Sequence, residues 1–108
     1  MPRSEIPPGT LYMMILKTLE KCPMHGYGIA LRIRQLSDEV LEVEEGSLYP
    51  ALQRMLIKGW VVAEWRASEN NRRARYYRLT RAGRKQLGVE LSEFDRVIHA
   101  VRQVIQTA

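Results

Sequence analysis

The 108-residue chain has room for one domain with one modest core, which leaves little space for an elaborate enzyme pocket. Its hydrophobic fraction of 45% and charged fraction of 27% are those of an ordinary folded protein and exclude disordered, collagen-like and mucin-like chains. The net charge of +5 is concentrated: Arg66, Arg72, Arg73, Arg75, Arg78, Arg81, Arg84 and Lys85 face a single acid, Glu69, so the rest of the chain is slightly acidic.

Residues 1–9, with Pro2, Pro7 and Pro8, read as a polar N-terminal arm. From there the apolar spacing becomes regular. Leu11, Met14, Ile15, Thr18 and Leu19 recur every three to four residues, the stripe of an amphipathic helix that Pro23 stops just after Cys22. His25, Gly26, Tyr27 and Gly28 open a second helix, with Ile29, Ile33 and Leu36 on one side, ending near Ser37. Asp38, Glu39, Glu42, Glu44 and Glu45 follow as an acidic cluster, expected to face away from any phosphate backbone or to form a solvated loop.

A third helix begins around Gly46 or Ser47. Pro50 lacks an amide hydrogen and is best tolerated in a first turn, and Gly59 suits a left-handed helix end. With its core stripe centred on Leu52, this helix turns Ser47, Pro50, Gln53, Arg54, Ile57 and Lys58 outward, with Tyr49 at the border and no acid among them. Arginine forks match guanine edges and glutamine amides match adenine, so Gln53 and Arg54 suit base reading.

The runs from Trp60 to Trp65 and from Ala74 to Leu79 are strand-formers around a turn-rich, basic tip, so they predict a hairpin. Trp60 and Trp65 are expected to pack in the core or at a dimer contact. Thr80 then caps a last helix to about Gln106, roughly 39 Å long. Leu87, Leu91, Phe94, Ile98, Val101 and Ile105 run along it at alternating spacings of four and three, a heptad seam widened by Val97 and Val104. So long a helix cannot bury such a seam on a small domain, so the seam predicts a homodimer.

The expected fold is mainly α with a small β-hairpin: a winged helix-turn-helix over residues 10–80, preceded by the arm and followed by a C-terminal dimerisation helix over 81–108. A major groove admits one helix, and a basic loop beside it can reach the neighbouring backbone, so double-stranded DNA is the expected partner. The same order of elements also serves protein- or RNA-interaction modules.

Three blocks carry a more specific signal: Pro23-Met24-His25-Gly26-Tyr27, Gly46-Ser47-Leu48-Tyr49-Pro50-Ala51-Leu52, and the stretch from Arg73 to Gly83. In this order they resemble the PadR family of bacterial transcriptional regulators, from about Gly9 to the end, in its short form with a single C-terminal helix. The resemblance implies a homodimeric repressor on an inverted-repeat operator. It maps Tyr49 and Pro50 onto the start of the recognition helix, Asn71, Arg72, Arg73 and Arg75 onto the DNA-facing wing, and Tyr77 and Leu79 onto buried wing positions. Many relatives respond to small aromatic or amphipathic molecules, so a small hydrophobic effector is implied too. In drug-sensing relatives an aromatic residue of the dimerisation helix lines a pocket at the dimer centre; here that helix offers Phe94 alone, and no effector residue is assigned.

Other chemistries lack their residues. Cys22 and His25 make only half of a zinc site, and His99 is remote in sequence. No nucleophile motif joins the serines, histidines and acids, and Gly26-x-Gly28 is too short to cradle a phosphate. No catalytic residue, metal or cofactor is expected. The longest apolar run, Leu11 to Leu16, falls far short of the roughly 20 residues of a membrane span, and no signal-peptide stretch opens the chain. A lone cysteine suits a reducing compartment, so a cytoplasmic protein without a membrane partner is expected.

Overall fold

Nine elements follow one another in the computed structural model, which describes residues 3–7 and 9–108. Met1, Pro2 and Pro8 of the expected arm lie outside the described residues. The rest of that arm is not free: β1 (Ser4–Glu5) pairs in parallel with β3 (Leu41–Glu42), and Arg3 reaches Glu39 at 3.5 Å and Glu42 at 3.6 Å. The acidic cluster is therefore partly neutralised and ordered, not a loose solvated loop.

α1 (Leu11–Leu19) buries Ile15, Leu16, Thr18 and Leu19. The Thr18 hydroxyl donates to the Met14 carbonyl at 2.7 Å, which satisfies it inside the core. The helix stops three residues short of the Cys22 boundary expected from Pro23, because the Glu20 amide already closes a tight turn on the Lys17 carbonyl. β2 (Met24–His25) comes next, and His25 caps α2 (Gly26–Leu36) by accepting the Gly28 amide on Nδ1 at 2.9 Å. α2 buries Ile29 and Ile33, while Leu36, expected on the same apolar side, is exposed. Asp38 and Glu39 then take left-handed backbone angles. Arg34 holds this turn through Glu39 at 2.7 Å.

α3 (Glu45–Ile57) starts earlier than the proline suggested, with Glu44 as its N-cap. Pro50 therefore lies beyond the first turn. The bond it cannot make would have gone to the carbonyl of Gly46, which is exposed and can be solvated instead. Gly59, at φ +75°, closes the helix as expected. β4 (Val61–Ala67) and β5 (Arg73–Leu79) form the antiparallel hairpin, and β2 joins β5 on its other side. This third strand, pairing Met24 with Tyr77 and His25 with Tyr76, ties the start of α2 to the wing.

α4 (Arg81–Thr107) is capped by Thr80, whose hydroxyl oxygen accepts the Gly83 amide at 3.0 Å. Only Gly83 and Leu87 of this helix are buried. Leu87, expected in the dimer seam, is 3% exposed and packs in the core of its own chain. The core lies where α1, α2, α3, the base of the wing and the first turns of α4 meet, around Leu16, Ile29, Leu52, Met55 and Val61. The remainder of α4 projects, stretching the molecule to 54 Å along its longest axis. Leu91, Phe94, Val97, Val101, Val104 and Ile105 are exposed along it, with Ile98 half-buried.

Candidate nucleic-acid interface

The buried side of α3 consists of Leu48, Ala51, Leu52 and Met55. At about 100° per residue its centre lies between Leu52 and Met55, so the outward face is rotated from the one centred opposite Leu52. Ile57, Gln53 and Pro50 point furthest out, and Ile57 is 77% exposed. Tyr49 falls on one flank, with Ser47, Arg54 and Lys58 on the other. Ser47, Tyr49, Pro50, Gln53, Arg54 and Lys58 are all exposed.

The two flanks meet different neighbours. Arg54 Nη1 lies 3.5 Å from the Tyr12 hydroxyl and shares a depression with Leu11 and Glu90. Lys58 sits with its ammonium 5.2 Å from the Trp60 ring centre. Glu44 and Glu45, at the helix start, complement the helix dipole but place acid beside Gly46 and Ser47.

Tyr49 turns toward α2 and the wing. Its ring lies so close to Gly26 that a Cβ there would come within 2.8 Å of it. Gly26 is thus needed for close approach. Around this contact a groove of about 580 Å³ is lined by Tyr27, Tyr49, Trp65, Arg72, Arg73 and Arg75, among others. Strand register explains the wing's share. Val61, Ala63 and Trp65 of β4 face the same side as Leu79, Tyr77 and Arg75, their partners on β5. Near the core that side is apolar, and Tyr77 and Leu79 are buried. Beyond the core it becomes aromatic and cationic.

Asn71 holds the turn with φ 58°, a left-handed angle that asparagine tolerates, while its amide donates to the Ser68 carbonyl. Burial pushes the Tyr77 phenol above its usual pKa, opposed by the Arg75 guanidinium. It therefore remains a neutral phenol at neutral pH. Glu69 is held below the usual carboxylate range by a backbone hydrogen bond and then by His25. With His25 Nδ1 accepting from Gly28, the neutral ring carries its proton on Nε2, which faces Glu69 at 3.3 Å. Both ring nitrogens are thus occupied structurally, and the single acid of the wing tip is tied back toward α2.

The structure brings Tyr49 together with Arg72, Arg73 and Arg75. It sets Ser47, Pro50, Gln53 and Lys58 along α3 and turns Arg54 toward α1. Trp65 and Tyr27 join the groove although sequence reasoning gave Trp65 a packing role. Its strand phase does point coreward, but the core ends at Ala63, two residues before it, which strand alternation alone does not disclose.

Residues 15–89 match the family model described as the transcriptional regulator PadR-like family. Among solved structures, a transcriptional regulator from Clostridium thermocellum superposes with a TM-score of 0.81 at 27% identity, over 88% of this chain and 92% of that one. A PadR-like transcriptional regulator from Bacillus cereus gives 0.76 at 26% identity, over 93% and 95%. A PadR family transcription regulator from Clostridium difficile gives 0.73 at 26% identity, over 89% and 98%. In sequence the chain is 28% identical over 97 residues to an uncharacterized protein of Lysinibacillus sphaericus, covering 90% of this chain and 89% of the relative. All three motif blocks fall inside the matched span, and the winged fold with its basic groove is present around them. The chain therefore belongs to the PadR-like family of transcriptional regulators and is a DNA-binding regulator.

Proposed function

We propose that the protein is a homodimeric repressor that binds an inverted-repeat operator, reading bases with α3 and clamping the backbone with the wing. The observation that carries this is the shared groove, in which Tyr49 of α3 and Arg72, Arg73 and Arg75 of the wing line one surface. Guanidinium groups bind phosphate as planar forks, and a tyrosine hydroxyl at a helix edge adds a further donor. Gln53 and Pro50, at the crest of α3, are the residues that enter the major groove. Ser47, Arg54 and Lys58 flank them, and Asn71 shapes the wing tip. The exposed seam Leu91, Phe94, Ile98, Val101 and Ile105 supplies the dimer contact, and two copies present two reading helices related by a two-fold axis.

Release by a small hydrophobic effector belongs to the same reading. An apolar cleft of about 430 Å³ between α1 and α2, lined by Met14, Met24, Ile33, Leu36 and Leu41 with Lys17, Lys21 and Arg32 at its edge, supports it.

A gel shift on the promoter region of the protein's own gene at two salt concentrations, followed by footprinting, tests the proposal. Steeply salt-dependent, sequence-selective binding is expected, with protected bases in symmetric pairs about 10 bp apart or a multiple of that. A single unpaired half-site would sink the dimeric reading. Failure to prefer any DNA sequence would favour a winged-helix module that binds an acidic protein or RNA.

A further inference from the structure

The wing side that carries Arg73 and Arg75 also carries an aromatic ring without a place in the core. Trp65 lies on β4 directly opposite Arg75 and in phase with Val61 and Ala63. Val61 is buried and Ala63 half-buried, yet Trp65 is 60% exposed because the hairpin has outrun the core by that point. Its immediate neighbour is a cation, the Arg73 guanidinium, 5.6 Å from the ring centre. Tyr27, Tyr49, Arg72 and Arg75 complete the groove around it.

Arginines and aromatic rings mark protein and nucleic-acid interfaces alike, but this groove lies on the wing of a DNA-binding regulator, and along it cations alternate with rings. That alternation matches a nucleic-acid backbone, in which apolar sugars alternate with anionic phosphates. We propose that Trp65 is a DNA-contact residue, its exposed ring packing on a deoxyribose of the duplex while Arg73 and Arg75 hold the phosphates on either side. This rests on the wing acting as a backbone clamp. Beyond the arginine beside it, the ring gains a sugar to cover its outer face. The contact is apolar and indifferent to base sequence, so it adds affinity without displacing counterions. An arginine–phosphate contact does displace them, and its loss lowers the slope of log affinity against log salt by about 0.9.

The test compares the full chain with Trp65→Ala, Trp65→Phe, Arg73→Ala and the Trp65→Ala/Arg73→Ala double variant. Binding is measured by fluorescence anisotropy on the promoter duplex and on an unrelated duplex across a salt series. Trp65→Ala should weaken both duplexes about tenfold, the size expected for one stacked aromatic face, with the salt slope unchanged. Trp65→Phe should keep most of the affinity. Arg73→Ala should lower the slope, and Trp65→Ala should cost the same factor in that background. Unchanged affinity overturns the proposal. So does a loss that vanishes in the Arg73→Ala background, which would make the ring a prop for the arginine, or a shift to monomer in sedimentation, which would place Trp65 between copies.

Should Trp65→Ala fail to fold, Trp60→Phe leaves Trp65 as the sole tryptophan of the two, and saturating duplex should shield it from acrylamide quenching. Unaltered quenching overturns the proposal. A wild-type chain that binds no duplex defeats the proposed function along with it; binding with Trp65 still accessible defeats this inference alone.

Discussion

Gln53 and Arg54 are adjacent on α3 yet face different surroundings, and the difference decides what each can read. Gln53 stands near the crest of the outward face, and Arg54 leans toward Tyr12 and Glu90. Gln53→Ala should cost about 1–3 kcal/mol on the preferred duplex and much less on unrelated DNA, as expected for a base contact. Arg54→Ala should weaken both duplexes alike and flatten the salt dependence, as expected for a phosphate contact. Anisotropy titrations on the two duplexes check both outcomes, and a selective loss with Arg54→Ala would exchange the roles. The outward set on α3 was legible from helical spacing alone. The lean of Arg54 was not, because it depends on Tyr12 of α1 coming within reach, a contact 42 residues apart in sequence. Within the chain Trp65 stands outside the core and Leu87 inside it, which spacing does not disclose for a related reason: alternation and heptad spacing give the direction of a side chain, but not how far the core extends beneath it.

Among the elements, the four helices and the hairpin were readable because each carries its own period in the sequence. β1, β2 and β3 were not, being two residues each and created only by pairing with distant segments. α3 begins earlier than the first-turn preference of Pro50 implies, because an exposed Gly46 carbonyl that water can solvate relaxes that constraint. The joint between α4 and the wing leaves no room for a side chain at Gly83. A Cβ on Gly83 would collide with the Trp60 carbonyl oxygen and fall 2.7 Å from Leu79 Cδ1. That carbonyl also accepts the Thr80 amide, so it is not free to move aside. Gly83→Ala should therefore destabilise the fold by about 1–3 kcal/mol, the usual range for overpacking, despite the better helix propensity of alanine. Chemical denaturation measures this, and an unchanged or raised midpoint would show that α4 shifts without cost.

At the scale of the whole molecule, the winged domain is self-contained and the far half of α4 is not. Its exposed seam, without Leu87, carries the proposed dimer contact. Leu91→Glu combined with Ile98→Glu would bury charge in a desolvated contact between copies, at several kcal/mol on the order of magnitude. Light scattering should report a monomer whose circular dichroism keeps the signature of the winged domain. A persistent dimer would mean that the copies associate through another face.

The Gly83 and Thr80 joint has a mechanical consequence. Because α4 is locked to the base of the wing at its first turn while its distal half extends free of the body, it works as a rigid lever with the reading head at one end. In the proposed dimer, rotation of two such levers against each other would be converted into a change in the distance between the two α3 helices. Domains tied by a flexible linker would absorb that rotation. In the proposed dimer it would be transmitted, so spacing on the DNA would become a readout of events at the far end of the molecule.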